Sequence, residues 1–440
     1  MTGRLLAAAA LSLLLSGVVR AGDLPDRIVR EIDRLAAEVE PDVITWRRDF
    51  HANPELGNRE RRTASIVAEH LRRLGLEVTT EVAHTGVVGI LRGGRPGPVV
   101  ALRADMDALP VTEEVDVPFA SRVRSTYNGE EVGVMHACGH DAHTAILMGA
   151  AEVLAQMRAD LPGTVKLIFQ PAEEGAPQGE RGGAELMLEE GAFDDPTPEA
   201  IFGLHVTSRT HTGTLTYRPG GTMASADGLQ IVVRGRQTHG AMPWLGVDPI
   251  TTAGHILVAL QSVVGRRIDI TQSPIVVSIG SIHGGVRGNI IPDDVRMVGT
   301  IRSLDPTIRE ELHARIRETV TKVAESMGAK ADVTIELGAP VTFNDPALTQ
   351  RMVPTLQRVA GADHVAVGPP TTGAEDFSEF QQHVPGLYFF MGVTPLDRPL
   401  EQAAPNHSPF FFVDESGLRL GVRAMANLAW DYLAGEPTAE

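Results

Sequence analysis

The sequence predicts an α/β protein of two domains, the larger one built from two chain segments around a smaller α+β insertion. Three observations carry this. Short apolar, β-branched runs alternate with helical segments up to about residue 213. From 214 to 330 the strands read as those of a more open sheet, and from 331 to 440 the first pattern returns.

The elements follow in order. "MTGRLLAAAALSLLLSGVVRAGDLPD" carries one Arg, then an apolar run from Leu5 to Val19, then Val-Arg-Ala, which suits cleavage of an export leader after Ala21. A membrane anchor needs roughly 20 apolar residues, and this run is shorter. Residues 1–21 are therefore expected to be a signal peptide, with the mature protein periplasmic or secreted and not stably inserted in the membrane. The larger domain's first segment is expected over 25–213. "LPDRIVREIDRLAAEVEPDVITWRRDFHANPEL" has helical spacing and stops at Asn53-Pro54, and "RRTASIVAEHLRRLGLEV" reads as a second helix ending near Gly75. "GVVGIL", "PVVALRADM", "TVKLIFQ" and "AIFGLHV" read as buried strands, with "AHTAILMGAAEVLAQMRAD" a strong helix between the second and third. In the insertion, strands in "GTLTYRPGGTMASADGLQIVVRG", "SPIVVSIGSIHGG" and "DVRMVGTIRS" alternate with two helices. "SGLRLGVRAMANLAWDYL" is the final helix.

Composition excludes some functions. A formal net charge of −17 leaves no basic footprint for nucleic acid. With one cysteine, Cys138, the chain cannot form an internal disulfide, so the thiol has another purpose or none.

That cysteine stands in "VMHACGHDAHTA", among His136, His140 and His143 and next to Asp141. In open α/β sheets ligands bind at the carboxyl ends of the strands. "RADMD" follows "PVVAL", "QPAEEG" follows "TVKLIF" and "LHV" ends "AIFG". Asp105, Asp107, Glu173, Glu174 and His205 can therefore meet at one rim, with Cys138 and His140 on a loop entering a helix. Thiolate, imidazole and carboxylate are ligands for zinc or its neighbours. Cys-Gly-His taken alone also fits a buried apolar thiol. Glu173 and Glu174 in "PAEEG" repel each other after an interior strand unless a cation neutralises them, and one can bind metal while the other activates water. The alternative, a solvated surface pair, fits less well directly after "VKLIFQ", which reads as an interior strand. His407 in "APNHSPFF" is flanked by prolines, whereas His70, His84, His211, His283 and His383 read as structural or solvated.

With these residues in view, "RADMDALP", "MHACGHDAHTA", "FQPAEEG", "GLHV", "GRQTHGAMPWLGVDPI", "GNIIPDDVRMVGTIRS", "TGAEDFSEF" and "PNHSPFFFVDE" resemble the M20 metallopeptidases. The resemblance is to the amidohydrolase branch of aminoacylases, hippurate hydrolases and auxin-conjugate hydrolases, and it spans Asp49 to Glu415. It implies a lid domain that often mediates dimerisation, so a homodimer or higher homo-oligomer is expected. It also implies two divalent metal ions per subunit, zinc, manganese or cobalt, held by Cys138, His140, Glu174, His205 and His407. By motif, Glu173 takes the general-base position, and His239 and Asn289 of the lid contact the substrate. The superfamily's usual His-x-Asp appears here as Asp105-Met106-Asp107, so Asp107 reads as an orienting carboxylate rather than a ligand.

The expected activity is hydrolysis of the amide of an N-acyl amino acid or short peptide by a metal-activated water. Two rivals explain less. A hydrolase using Cys138 as nucleophile with His140 as base leaves Glu173, Glu174 and His407 without a purpose. A non-catalytic exported binding protein would have no need of the ligand-type residues and the base. Trp244 fits either an acyl-group contact or a lid surface.

Overall fold

The computed structural model describes residues 26–435, so the expected leader at 1–21 lies outside the described residues. The larger domain is centred on an eight-stranded mixed sheet in the order Glu77–Val82, Gly86–Arg92, Pro162–Gln170, Arg95–Asp105, Ala200–His211, Gly386–Thr394, Leu215–Tyr217 and Val365–Val367. Pro162–Gln170, Arg95–Asp105, Ala200–His211 and Gly386–Thr394 run parallel. Their C-terminal ends therefore open on one rim, where the polar clusters of the sequence fall.

Helices cover both faces, which is why these strands are almost continuously apolar. Asp26–Ala52, His140–Gln156 and Leu418–Ala434 pack together on one side. The shorter Gly183–Glu189 and Phe377–Gln381 lie over a second apolar cluster. His140–Gln156 is apolar all round because it is enclosed; nearly all its residues are buried. Gly149 on this helix lets its neighbours close in. A Cβ there would meet Val43 Cγ2 at 2.7 Å and Val422 Cγ2 at 2.9 Å. Each Val or Leu buried in this layer stabilises the fold by about 1.5–3 kcal/mol, and a larger residue at Gly149 would force the helices apart.

The smaller domain has an antiparallel sheet in the order Ile275–Gly284, Asp294–Ser303, Asp227–Arg234 and Lys330–Glu336. Two helices, Pro249–Arg266 and Pro306–Ser326, pack on one face, where Leu229, Ile231 and Val233 are buried. Both helices begin with Asp-Pro. Asp248 accepts from the Ile250 and Thr251 amides at 2.9 and 3.2 Å, Asp305 from the Ile308 amide at 2.9 Å, and the proline that follows has no N–H left to satisfy.

The sheets divide the chain at Asp227 and Glu336. Leu215–Tyr217, inside the expected insertion of 214–330, is a strand of the large sheet, and Gly220–Met223 pairs with Thr342–Asn344. A three-residue strand carries no pattern that says which sheet it joins; its partner decides. Where the chain crosses between domains, the Ala226 amide donates to the Ala339 carbonyl at 3.0 Å. Asp227 accepts from Arg309 and Gly338 and lies 2.8 Å from His313 Nε2, which ties both crossings to the helix Pro306–Ser326. Among the described residues no helix is long and apolar enough to cross a membrane.

Candidate metal centre

Three strand ends and two loops supply the site. Arg95–Asp105 leads to Asp107, Pro162–Gln170 to Glu173 and Glu174, and Ala200–His211 carries His205. Cys138 and His140 flank Gly139, whose φ of 101° belongs to the left-handed region, and a Cβ there would lie 2.2 Å from Val206 Cγ2. Ala172 and His407 also have positive φ, at 51° and 72°, so the backbone beside Glu173 and at His407 is held in strained conformations. Asn406 fastens the His407 loop: its Nδ2 donates to the Cys138 carbonyl at 3.0 Å and the Val206 carbonyl at 3.1 Å.

The hydrogen bonds sort the imidazoles. His205 Nδ1 donates to the Val206 carbonyl at 2.6 Å, which leaves the Nε2 lone pair facing Cys138 Sγ at 3.3 Å. His140 Nδ1 faces Asp107 Oδ1 at 3.3 Å, and its buried Nε2 has no hydrogen-bond partner. His143, three residues along the same helix, has no free nitrogen. Its Nδ1 faces Asp105 Oδ1 at 2.6 Å and its Nε2 accepts from the Val206 amide at 2.9 Å. His140 and His205 thus present lone pairs to the site, and His143 holds the scaffold. His407 Nε2 lies 3.2 Å from Cys138 Sγ and 2.9 Å from Glu174 Oε1.

Of the donor groups the structure brings together, two consist wholly of the predicted ligands, Cys138–His140–His205 and Cys138–Glu174–His407, each with its ligand atoms within 4.8 Å of one another. They share the thiol. Ligands at zinc distances of about 2.0–2.3 Å stand roughly 3.3–3.8 Å apart, so these spacings fit a cation at the centre of each triad. The electrostatics point the same way. Burial, together with Glu174, Glu173 and Asp105, pushes the Cys138 thiol well up. Burial, together with Glu375, Glu174 and Asp376, pushes the Glu173 carboxyl well up. Although burial opposes it, Asp105 and Asp107 hold His140 protonated up to about 10. Divalent cations would reverse all three, and the residues fit them. The same field argues against Cys138 as a nucleophile, since a thiol raised among carboxylates is not a thiolate.

Asp107 orients several of these groups at once. Its oxygens accept from the Glu173 and Glu174 amides, both at 3.0 Å, while one faces His140. Behind it is a buried ion network that motif reading did not assign. Arg103 donates to Asp105 at 2.6 Å, Glu375 at 2.9 Å and Asp376 at 3.0 Å, and Tyr388 donates to Glu375 at 2.5 Å. Glu375 and Asp376 belong to "TGAEDFSEF", and a buried-strand arginine two residues before Asp105 was the one signal that could have found the network. A second relay joins the helix Asp26–Ala52 to the site: His51 lies 2.8 Å from Asp141 and 3.0 Å from Glu113, and Arg47 pairs with Asp141 at 2.8 Å.

The structure brings His239 and Asn289 to each other but not to the triads. They lie on the paired strands Thr238–His239 and Ile290–Ile291 or beside them, and the Gly240 amide donates to the Asn289 carbonyl at 2.8 Å. Both are exposed. The Ala241 amide donates to His239 Nδ1 at 3.0 Å, which places the ring proton of the neutral form on Nε2, ready to donate.

The family described as Peptidase family M20/M25/M40 matches residues 101–431. A thermostable carboxypeptidase 2 of Saccharolobus solfataricus is 42% identical over 404 residues, covering 91% of this chain and 98% of its own. The IAA-amino acid hydrolase ILR1-like 2 of Arabidopsis thaliana is 36% identical, covering 89% and 86%. A Bacillus subtilis protein whose structure is described as a dinuclear metal binding peptidase of the M20 family is 33% identical, with a TM-score of 0.76, covering 91% and 100%.

Proposed function

The chain belongs to peptidase family M20/M25/M40, and from that premise we propose that it hydrolyses the amide bond of N-acyl amino acids or short peptides. It is a metal-dependent amidohydrolase or peptidase; the choice of substrate is the proposal. The observation that carries the reading is the pair of donor triads joined through Cys138, with Glu173 beside them in one cavity. The names of the similar carboxypeptidase and IAA-amino acid hydrolase support an amino-acid half in the substrate.

When bound, two divalent ions would supply the Lewis acidity that lowers the pKa of water and polarises the scissile carbonyl. Cys138, His140, Glu174, His205 and His407 would hold them. Glu173 accepts a proton from the attacking water as its oxygen adds to the amide carbon. It returns that proton to the nitrogen as the C–N bond breaks. Asp107 fixes the turn that carries Glu173 and keeps His140 in its donor tautomer. On closure of the lid His239 would donate to the developing oxyanion, worth about 3 kcal/mol for one such donor.

Export and self-association belong to the same proposal. The leader pattern at 1–21 supports export, and a mature N-terminus at Gly22 in the periplasmic or secreted fraction would establish it. The lid's outer strand Ile275–Gly284 has a free edge among the described residues, which supports a homodimer that light scattering would detect. The activity itself is tested by release of free amino acid from a panel of N-acyl amino acids and dipeptides, before and after chelation. Chelator-insensitive release blocked by a thiol reagent would contradict it.

A further inference from the structure

Between the triads and solvent lies a cavity of about 420 Å³. Its inner end is acidic, with Glu173, Glu174 and Glu375, and Met223 and Phe390 form an apolar stretch of its wall. Arg209 is its one arginine or lysine.

The backbone sets Arg209 at the rim on purpose-built geometry. The strand Ala200–His211 pairs in register with Gly386–Thr394 until Thr207 meets Gly392. The next pair is His211 with Thr394, so the strand carries two extra residues there. Such bulges bend a strand and re-aim its side chains, and they recur beside active sites. This one is pinned. The Arg209 amide donates to Thr207 Oγ1 at 3.2 Å, the Thr394 hydroxyl donates to the Ser208 carbonyl at 2.7 Å, and the Ser208 amide donates to Asn406 Oδ1 at 3.4 Å. Asn406 is the residue that also fastens the His407 loop, so the bulge and the metal cluster share an anchor. Arg209 is four positions along the strand from His205, at most about 14 Å of extended chain.

The guanidinium is exposed to solvent at the cavity and, among the described residues, has no carboxylate or carbonyl partner. An arginine is charged at every working pH, and its fork matches a carboxylate. We propose that Arg209 is a specificity-determining residue that holds a substrate carboxylate at the end of the cavity remote from the metal ions. The fitting substrate has a scissile amide, an apolar middle against Met223 and Phe390, and an anionic end. This rests on the amidohydrolase reading above. The carboxylate has two sources, the α-carboxylate of the amino-acid half or one carried on the acyl group.

The test compares the metal-loaded full chain with Arg209→Met and Arg209→Lys on matched amides. N-hexanoyl-methionine against its α-carboxamide isolates the first source, and N-adipoyl-methionine against N-hexanoyl-methionine isolates the second. The expected result is that in one pair the preference for the carboxylate-bearing member falls about tenfold or more in Arg209→Met, through KM rather than kcat, and is partly restored in Arg209→Lys. The pair that responds names the source. Unchanged preferences in both pairs would overturn the inference. Calorimetric titration with adipate separates it from the activity: weaker binding by about tenfold in Arg209→Met supports it even in a protein that turns over none of the amides, and equal binding sinks it.

Discussion

The inner half of the predicted ligand set and the predicted lid contacts live under opposite conditions. Cys138, His140 and His205 are buried and touch parts of the chain distant in sequence, whereas Glu174 is half-buried and His407 is exposed on its loop. His239 lies on a two-residue strand pair of the smaller domain and Asn289 beside it, in a region where Trp244 is 75% and Val286 97% exposed. The difference separates binding from completion. The larger domain preforms a cation site before any substrate arrives, because a cluster of buried acids is tolerable only when its geometry is fixed and a positive charge is at hand. Under the proposed function, the lid's donors would act on what has already been bound, which fits their exposure to water in the absence of substrate.

If that division holds, substitutions in the two regions should fail in different ways. Glu173→Gln should lower kcat by about 10³-fold while metal content stays at the wild-type level; loss of metal along with activity would place Glu173 among the ligands instead. His239→Ala should lower kcat by about 10²-fold, again with metal content unchanged. A metal-depleted His239→Ala protein would erase the contrast between lid and cluster. Asp107→Asn should weaken metal affinity by about 10–100-fold, read by competition with a chromophoric chelator, because His140 loses its orienting acceptor and the Glu173–Glu174 turn loses its clamp. Affinity equal to wild type would show that the turn holds itself.

The smallest effect sharpens the comparison from the lid's root. Despite its burial, Asp227 is held down to about 2 by His313 and Arg309. A carboxyl depressed on folding contributes stability above its unfolded value, near 4, and that contribution disappears as pH falls through about 2. Asp227→Asn should therefore destabilise the lid by about 2 kcal/mol at pH 7, with the gap to wild type narrowing between pH 4 and 2. Hydrogen exchange in Asp227–Arg234 and Pro306–Ser326 reads this. A gap that is flat down to pH 2 would mean the ion pair is not the hinge's support.

Much of this was legible because strand ends are easy to read. A β-branched run followed by Asp-Met-Asp, or by Pro-Ala-Glu-Glu, tells where a parallel strand leaves the sheet and what it delivers, and the family motifs named the same residues. The partners of those residues were not legible. Arg103 lies in a strand and meets Glu375 and Asp376 from the far end of the chain, and no local pattern announces a contact across that separation. His143 and His140 look alike in sequence, and the Val206 amide at His143 Nε2 is what distinguishes scaffold from donor. The lid's first boundary was blurred for the same reason: Leu215–Tyr217 is a strand by composition, and pairing alone assigns it to the large sheet.

The most direct test of the two-ion centre joined through Cys138 is metal content per chain of the purified protein and of Cys138→Ser, measured by elemental mass spectrometry with hydrolysis assayed on the same samples. The account predicts about two divalent ions per wild-type chain and loss of both, with activity, in Cys138→Ser, because the thiol belongs to each triad. Full metal content and activity in Cys138→Ser would contradict it.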